Sequence, residues 1–364
     1  MDESYLLSVI RGERRGWQDR LVLLILSFLE PIYGLLVFIR KILYRYGFLR
    51  IRQLPVPVIS IGNLVAGGTG KTPLSIYLAR TLTAMGQHPG ILLRGYRGKS
   101  EGARLVTKDL QVEETGDEAQ LLTRSLPGLP VAVGADRYLA GQLAVGNGAS
   151  VAILDDGLQY LGLYRDLEVV LLRASDPWDN GHLIPRGLLR EGRSGIRRAD
   201  LIILTNVQSA CEQEIDCAVR QIRHWNSSSS ILCMSTQPLS VQPLLQWWRS
   251  EGQSEPANDF LNARAIGVFT AIGYPEKFFN TLKTLGARIQ HTEVRPDHDQ
   301  WTEGDFSSFS AGEQLPLLTT EKDAVKLGGF LSKPIAKRIF VLRIQSQFSP
   351  EDTARLEAIL RELK

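Results

Sequence analysis

The sequence predicts an α/β fold: a doubly wound, mostly parallel sheet, with an apolar helical segment before it and a second, smaller α/β domain after it. Three observations carry this reading. Short apolar runs alternate with helical patterns from residue 57 to residue 205, as crossover connections between parallel strands require. The stretch from Pro57 to Pro73 passes from an apolar run through a glycine-rich turn into a helix start. Leu21 to Ile39 is nearly all apolar and has basic residues on both sides.

At 364 residues, with 44% hydrophobic and 22% charged residues, the chain has room for two domains and a large core. The boundaries fall at 1–52 for the apolar, basic-flanked segment, 53–205 for the core domain and 206–364 for the C-terminal domain. A net charge of +3 makes no case for a nucleic-acid partner. Cys211, Cys217 and Cys233 have no CxxC spacing, which suits reduced, packing thiols in a cytoplasm. The five histidines include no HExxH pair, so no zinc site is expected.

The N-terminal segment supports two readings. Leu21–Ile39 is long enough to span a bilayer, but Glu30 and Pro31 interrupt its middle. A carboxylate at the bilayer centre costs about 2.5–3.5 kcal/mol, and a proline removes a helix hydrogen bond. One reading is a core helix pair broken at Glu30-Pro31. The favoured one is a broken helix on an anionic membrane face, with Arg11, Arg14, Arg15, Arg20, Arg40, Lys41, Arg45, Arg50 and Arg52 toward the lipid phosphates.

In the core domain, Val58–Ile61 reads as a strand. Gly67, Gly68 and Gly70 let the following backbone curl with its N–H groups inward, which suits a polyphosphate. Gly67, Gly68, Thr69, Gly70, Lys71 and Thr72 are the expected nucleotide cradle. In such a loop Lys71 reaches the β- and γ-phosphates of ATP and the Thr72 hydroxyl ligates Mg²⁺. Pro73 suits the first helical position. The general P-loop pattern has a glycine where this chain has Val65.

Further along, Ile91–Leu93 is a strand whose end carries Arg94 and Arg97, either phosphate contacts or a solvated basic turn. Asp117 and Glu118 open a helical pattern. They read as an N-cap and a first-turn carboxylate, or as a general base and a metal ligand. Ser150–Asp156 is an apolar strand ending in two carboxylates, which places Asp155 or Asp156 beside the Mg²⁺ held by Thr72. Residues 176–195 are rich in Gly, Pro and Arg and suit an acidic substrate. The polar run Asn226–Ser230 reads as an exposed loop. In the C-terminal domain, Leu315–Thr320 followed by Glu321-Lys322-Asp323-Ala324 repeats the strand-to-helix theme, and Asp297-His298-Asp299 lies in a polar stretch.

Several segments, in this order, resemble the tetraacyldisaccharide 4′-kinases of lipid A biosynthesis. They are Gly62–Pro73, Arg94-Gly95-Tyr96, Gly116-Asp117-Glu118, Gly134–Arg137, Asp155–Gln159, Leu189-Arg190-Glu191, Asp297-His298 and Thr320–Lys326. The missing first glycine is itself usual in that family. The resemblance implies transfer of the ATP γ-phosphoryl group to the 4′-hydroxyl of an acylated glucosamine disaccharide 1-phosphate. The work would be done at the cytoplasmic face of the bacterial inner membrane. It implies Asp117 as general base with His298 as its partner, and Lys71 on the transferring phosphate. Thr72, Glu118, Asp155 and Asp156 would lie near the metal, and Arg94, Tyr96, Arg137 and Arg190 on the substrate side. One departure stands out: Tyr160 replaces a histidine common in the family. Tyrosine donates a hydrogen bond but carries no positive charge near neutral pH.

Two rival functions fit parts of the pattern. A kinase or ligase for a soluble metabolite gains if the apolar stretch is only core. A nucleotide-dependent switch at the membrane would need a base-reading Asn-Lys-x-Asp motif or an ABC signature, and neither is present.

Overall fold

The computed structural model describes residues 3–95, 102–297, 299–309 and 315–363. The chain forms two compact units, each assembled from separated stretches. The first comprises Met1–Lys71, Ser150–Ser235 and Phe348–Lys364, and the second Thr72–Ala149 and Thr236–Gln347.

In the first unit five parallel strands lie side by side. Their order is Val151–Asp155, Val58–Asn63, Leu167–Arg173, Leu201–Thr205, and then the opening residues of Ser230–Pro243. Nearly every residue of the first four is buried, which is why they read as continuous apolar runs. The Val58–Asn63 strand is interior to this order, with Ser60 opposite Leu154 on one side and Glu168 on the other. A side chain at Gly62 would collide with Leu158, so the missing Cβ lets the turn after Asp155 pack onto this strand. Leu64, Leu158, Val170, Leu172, Ile202 and Ile222 fill the core beneath.

In the second unit Pro89–Leu93 pairs in parallel with Val131–Val133, and Arg104–Leu105 adds an antiparallel edge. A second parallel set runs Arg288–Val294, Ala265–Thr270, Leu317–Thr320 and Ile339–Phe348. Phe269 anchors the core there, edge-on to Trp301 at 4.9 Å and to Phe306 at 5.1 Å. The α/β, mostly parallel architecture is thus the one the alternating pattern predicted.

Several local expectations need correction. The apolar segment is one unbroken helix, Trp17–Arg45, with Pro31 inside it. The proline removes one backbone donor, and the rest of a 29-residue helix absorbs the loss. One stripe of this helix faces its own unit: Leu26 is buried, and Glu30, Tyr33, Gly34, Lys41 and Tyr44 are half-buried. Leu24, Phe28, Leu36 and Phe38, between 58% and 72% exposed, point away. The glycine-loop helix starts at Lys71, two residues before the expected proline, and runs to Ala84. Pro73 still falls among the first four positions, whose N–H groups have no helical partner. Asp117 is the first residue of the Asp117–Ser125 helix, and Gly116 is the cap.

The polar run Asn226–Ser230 is not a free loop. The Asn226 side chain is buried and donates to the carbonyls of Ile196 (2.9 Å) and Ala199 (3.2 Å). Cys211 and Cys217 are exposed rather than packed in the core.

Candidate active site

The glycine loop of the first unit joins the Val58–Asn63 strand to the helix at Lys71. Gly67 (φ 110°) and Gly70 (φ 86°) take backbone conformations that L side chains rarely adopt, which gives the loop its curl. Thr69 is buried, and Asn63 organises the turn from inside. Its amide donates to Thr69 Oγ1 at 2.9 Å and to the Val65 carbonyl at 2.5 Å. Its Oδ1 accepts from Lys71 Nζ at 3.2 Å. Lys71 is therefore held over the loop mouth by a group on the preceding strand.

Two neighbours complete this cluster of the first unit. At the end of the Val151–Asp155 strand, Asp155 is buried and accepts the N–H of Asp156 at 2.9 Å. Asp156 sits at φ 54°, unusual for a residue with a side chain. Its carboxylate lies 3.4 Å from Lys71 Nζ and accepts two bonds from Arg190 Nη1, at 2.7 and 2.9 Å. Arg190 belongs to a strap, residues 182–192, laced onto the glycine loop. Ala66 N–H donates to Leu188 O (2.7 Å), and Arg190 N–H donates to Leu64 O (2.8 Å). Gln159 donates to the Asn63 carbonyl (3.0 Å) and to Glu191 (3.2 Å). The N-terminal helix grips the same strap. Tyr33 donates to the Arg190 carbonyl at 2.8 Å, Arg40 to the Gln159 carbonyl at 2.9 Å, and Lys41 pairs with Glu191.

The electrostatics follow from these contacts. Burial pushes the Asp156 carboxyl up, but Lys71 and Arg190 outweigh it and hold the group below its usual range. Glu191 behaves alike: burial raises it, and Arg198 and Lys41 bring it below the ordinary value. Both carboxylates are thus kept ionised. Asp155 and Asp156 offer hard oxygen donors, and the glycine loop offers a phosphate cradle. Magnesium in such sites takes one or two carboxylates plus phosphate oxygens, so the residues fit the ion.

In the second unit Asp117 opens its helix, is 5% exposed, and accepts the N–H of Glu118 at 3.0 Å. Lys322, in the short Glu321–Ala324 helix that follows the Leu317–Thr320 strand, lies 3.9 Å from Asp117 and bonds Asp297 at 2.8 Å. Burial pulls the Lys322 ammonium down, but Asp117, Asp297 and Glu118 outweigh that and raise it.

Of the residues singled out in the sequence, Gly67, Gly68, Thr69, Gly70, Lys71, Asp155, Asp156 and Arg190 gather in the first unit. Thr72, Arg94, Asp117, Glu118 and Arg137 belong to the second. There Glu118 and Arg94 are exposed, while Arg137 is buried and donates to the Ala135 carbonyl at 2.8 Å. His298 and Tyr96, and with Tyr96 the neighbouring Arg97, lie outside the described residues. Tyr160 is half-buried, and its carbonyl accepts from Arg165 at 2.5 Å. Asn63, Gln159, Glu191, Lys322 and Asp297 also lie within the sequence motifs, although the sequence alone marks no role for them. Their motif membership was the available signal.

The family described as tetraacyldisaccharide-1-P 4′-kinase matches residues 21–364. The tetraacyldisaccharide 4′-kinase of Halothermothrix orenii is 35% identical over 339 residues, covering 89% of this chain and 88% of that protein. That of Pelobacter propionicus is 36% identical, covering 99% and 98%. Among solved structures, LpxK from Aquifex aeolicus in complex with ATP is similar with a TM-score of 0.73 and 33% identity, covering 93% of this chain and 99% of that one.

Proposed function

This chain belongs to the tetraacyldisaccharide-1-P 4′-kinase family, and from that membership we propose that it transfers the γ-phosphoryl group of ATP to the 4′-hydroxyl of an acylated glucosamine disaccharide 1-phosphate in lipid A biosynthesis. The observation that carries the proposal is the meeting of Lys71, Asp156 and Arg190 at a glycine loop built for phosphate.

The division of labour runs along the chain as 1–52 for membrane association, 53–205 for the kinase core and 206–364 for the C-terminal α/β domain. Gly67–Thr72 hold the triphosphate through backbone N–H groups, and Lys71 balances charge that develops on the transferring group. Thr72, Glu118, Asp155 and Asp156 are the candidates to hold Mg²⁺. When bound, the ion supplies charge neutralisation on the phosphate oxygens. Asp117 takes the proton of the sugar hydroxyl, with His298 as its partner. The Lys322 ammonium 3.9 Å away supports that role by giving the carboxylate a fixed cationic neighbour. Arg190 is a phosphate contact, and Arg94, Tyr96 and Arg137 are assigned to the acidic substrate.

The enzyme works at the cytoplasmic face of the bacterial inner membrane, held there by the outward apolar face of Trp17–Arg45. Soluble monomers rarely expose so large a contiguous apolar patch, and the helix is long and apolar enough to cross a bilayer.

The test is incubation with labelled ATP, Mg²⁺ and the acylated disaccharide 1-phosphate, followed by chromatography of the lipid. Label in the lipid is expected, with turnover lost on Lys71→Ala. Asp117→Ala is expected to lower kcat far more than ATP affinity. An unmodified lipid would defeat the assignment, and a fall in ATP affinity alone would make Asp117 a nucleotide or metal ligand.

A further inference from the structure

The run Thr320–Lys326 is the one motif of the sequence that the proposed chemistry leaves without a task. Its residues divide sharply. Glu321 is turned into the unit, where it accepts the indole N–H of Trp247 and the backbone N–H of Ile344, each at 3.3 Å, and faces Arg343 at 3.5 Å. Asp323 is fully buried. It accepts the hydroxyls of Thr270 and Thr320, both at 2.8 Å, and the N–H of Ala271 at 3.1 Å, and it pairs with Lys326 at 3.3 Å. The backbone is thus nailed down on both sides of Lys322. Between these anchors Lys322 points the other way, to Asp297 at 2.8 Å and to Asp117 at 3.9 Å.

This arrangement costs something. A lysine whose ammonium is three-quarters buried gives up hydration and side-chain freedom. A surface salt bridge would return little for that. The investment is instead made at the carboxylate expected to take the substrate proton, and on the segment that leads directly into His298.

We infer that Lys322 is a positioning residue for phosphoryl transfer: its ammonium ties the Asp297 segment to the start of the Asp117 helix and so fixes the orientation of the Asp117 carboxylate. The inference rests on the reading of Asp117 as the base. A base must sit within hydrogen-bond reach of the proton it takes, and small misplacements there cost about 100-fold in rate. The role needs a cation of fixed length and direction, which Arg can partly replace and Gln cannot.

The experiment is single-turnover transfer from labelled ATP to the acylated disaccharide 1-phosphate, with enzyme in excess, using the full chain. Lys322→Gln is expected to slow transfer about 10- to 100-fold, with the KM for ATP changed by less than about 2-fold. Lys322→Arg is expected to recover most of the rate. In an Asp117→Asn background, Lys322→Gln is expected to cost less than about 3-fold, because the group it positions is already gone. Equal costs in both backgrounds, a loss that falls on the KM for ATP, or no recovery with Arg would each overturn the inference. Thermal unfolding of each variant is measured alongside. Should Lys322→Gln unfold, Asp297→Asn replaces it in the same cycle, since it cuts the tether and keeps both Lys322 and Asp117. Full activity in Asp117→Asn alone would sink the underlying reading of the base, an outcome distinct from additivity.

Discussion

Glu30, in the middle of the long apolar helix Trp17–Arg45, accepts the backbone N–H of Leu183 at 2.8 Å and faces His182 Nδ1 at 3.1 Å. A carboxylate that looks like a break in a hydrophobic span is therefore a clamp on the strap that carries Arg190. Three further residues of the helix, Tyr33, Arg40 and Lys41, reach the same strap or the Gln159 turn beside it. Glu30, Tyr33 and Lys41 turn toward the protein beside Leu26, while Leu24, Phe28, Leu36 and Phe38 turn outward, where a soluble surface helix would be polar. The helix that carries the outward apolar face is thus also part of the scaffold of the glycine-loop site.

Glu30→Ala is expected to loosen the strap. One half-buried N–H loses its acceptor, at about 1 kcal/mol, and Arg190 loses definition at Asp156. The expected result is a 3- to 10-fold rise in the KM for ATP, with Glu30→Gln closer to wild type because its amide oxygen still accepts from Leu183. Steady-state kinetics in detergent check this. An unchanged KM in Glu30→Ala would show that the strap holds without the clamp.

The opposite face makes the complementary prediction. Phe28 is 72% exposed and Leu24 67% exposed. Fully burying such a side chain is worth about 1.5–3 kcal/mol. Replacing both with Asp is expected to shift the protein from the vesicle-bound to the free fraction in a flotation assay, while the KM for ATP measured in detergent stays within about 2-fold. Retention on vesicles would move the membrane contact elsewhere.

Asp156 allows a test of the ion-pair cluster itself. With Asp156 present, Lys71 and Arg190 are already neutralised by a carboxylate. Asp156→Asn is expected to abolish most turnover, about 100-fold or more, if the carboxylate helps hold Mg²⁺. The same variant is expected to bind ATP about 10-fold more tightly than wild type in EDTA, because a negative charge facing the triphosphate is gone and two cations are released to it. Titration calorimetry without metal reads this directly. Weaker binding would mean that Asp156 is needed to place the two cations.

Much of this site was legible in the sequence, for identifiable reasons. The Val58–Asn63 and Val151–Asp155 strands are buried on both faces, so they appear as unbroken apolar runs, and the residues at their ends are chemically marked. The direction of the N-terminal helix was not legible. Where almost every position is apolar, periodicity cannot say which stripe faces inward, and only Glu30 and Lys41 reveal it. Lys322 was invisible as an active-site residue because it meets Asp117 across about two hundred residues of chain, and no local pattern encodes that contact. Asn226 misled for a related reason: in a run of serines its buried bonds to Ile196 and Ala199 look like ordinary loop polarity.

Glu191 turns the strap into a measurable pH effect. Its side chain is 1% exposed, and Arg198 and Lys41 are its cations. Its carboxyl in the folded protein lies below its ordinary value of 4.5, because those cations outweigh the upward push of burial. A group depressed on folding contributes stability above its ordinary value and loses it as pH falls through the folded one. Wild-type stability is therefore expected to fall on acidification below about pH 4.5, in part through this group. Glu191→Gln is expected to be less stable at pH 7 by about 3 kcal/mol, since a buried charge partner is removed. It is also expected to show a shallower fall in Tm below the ordinary carboxylate value, since the variant has no proton to take up at this position. Melting curves of both proteins between pH 7 and pH 3.5 decide the matter. Parallel acid limbs would show that Glu191 does not titrate in the unfolding transition, and would assign the acid sensitivity of the strap to Asp156.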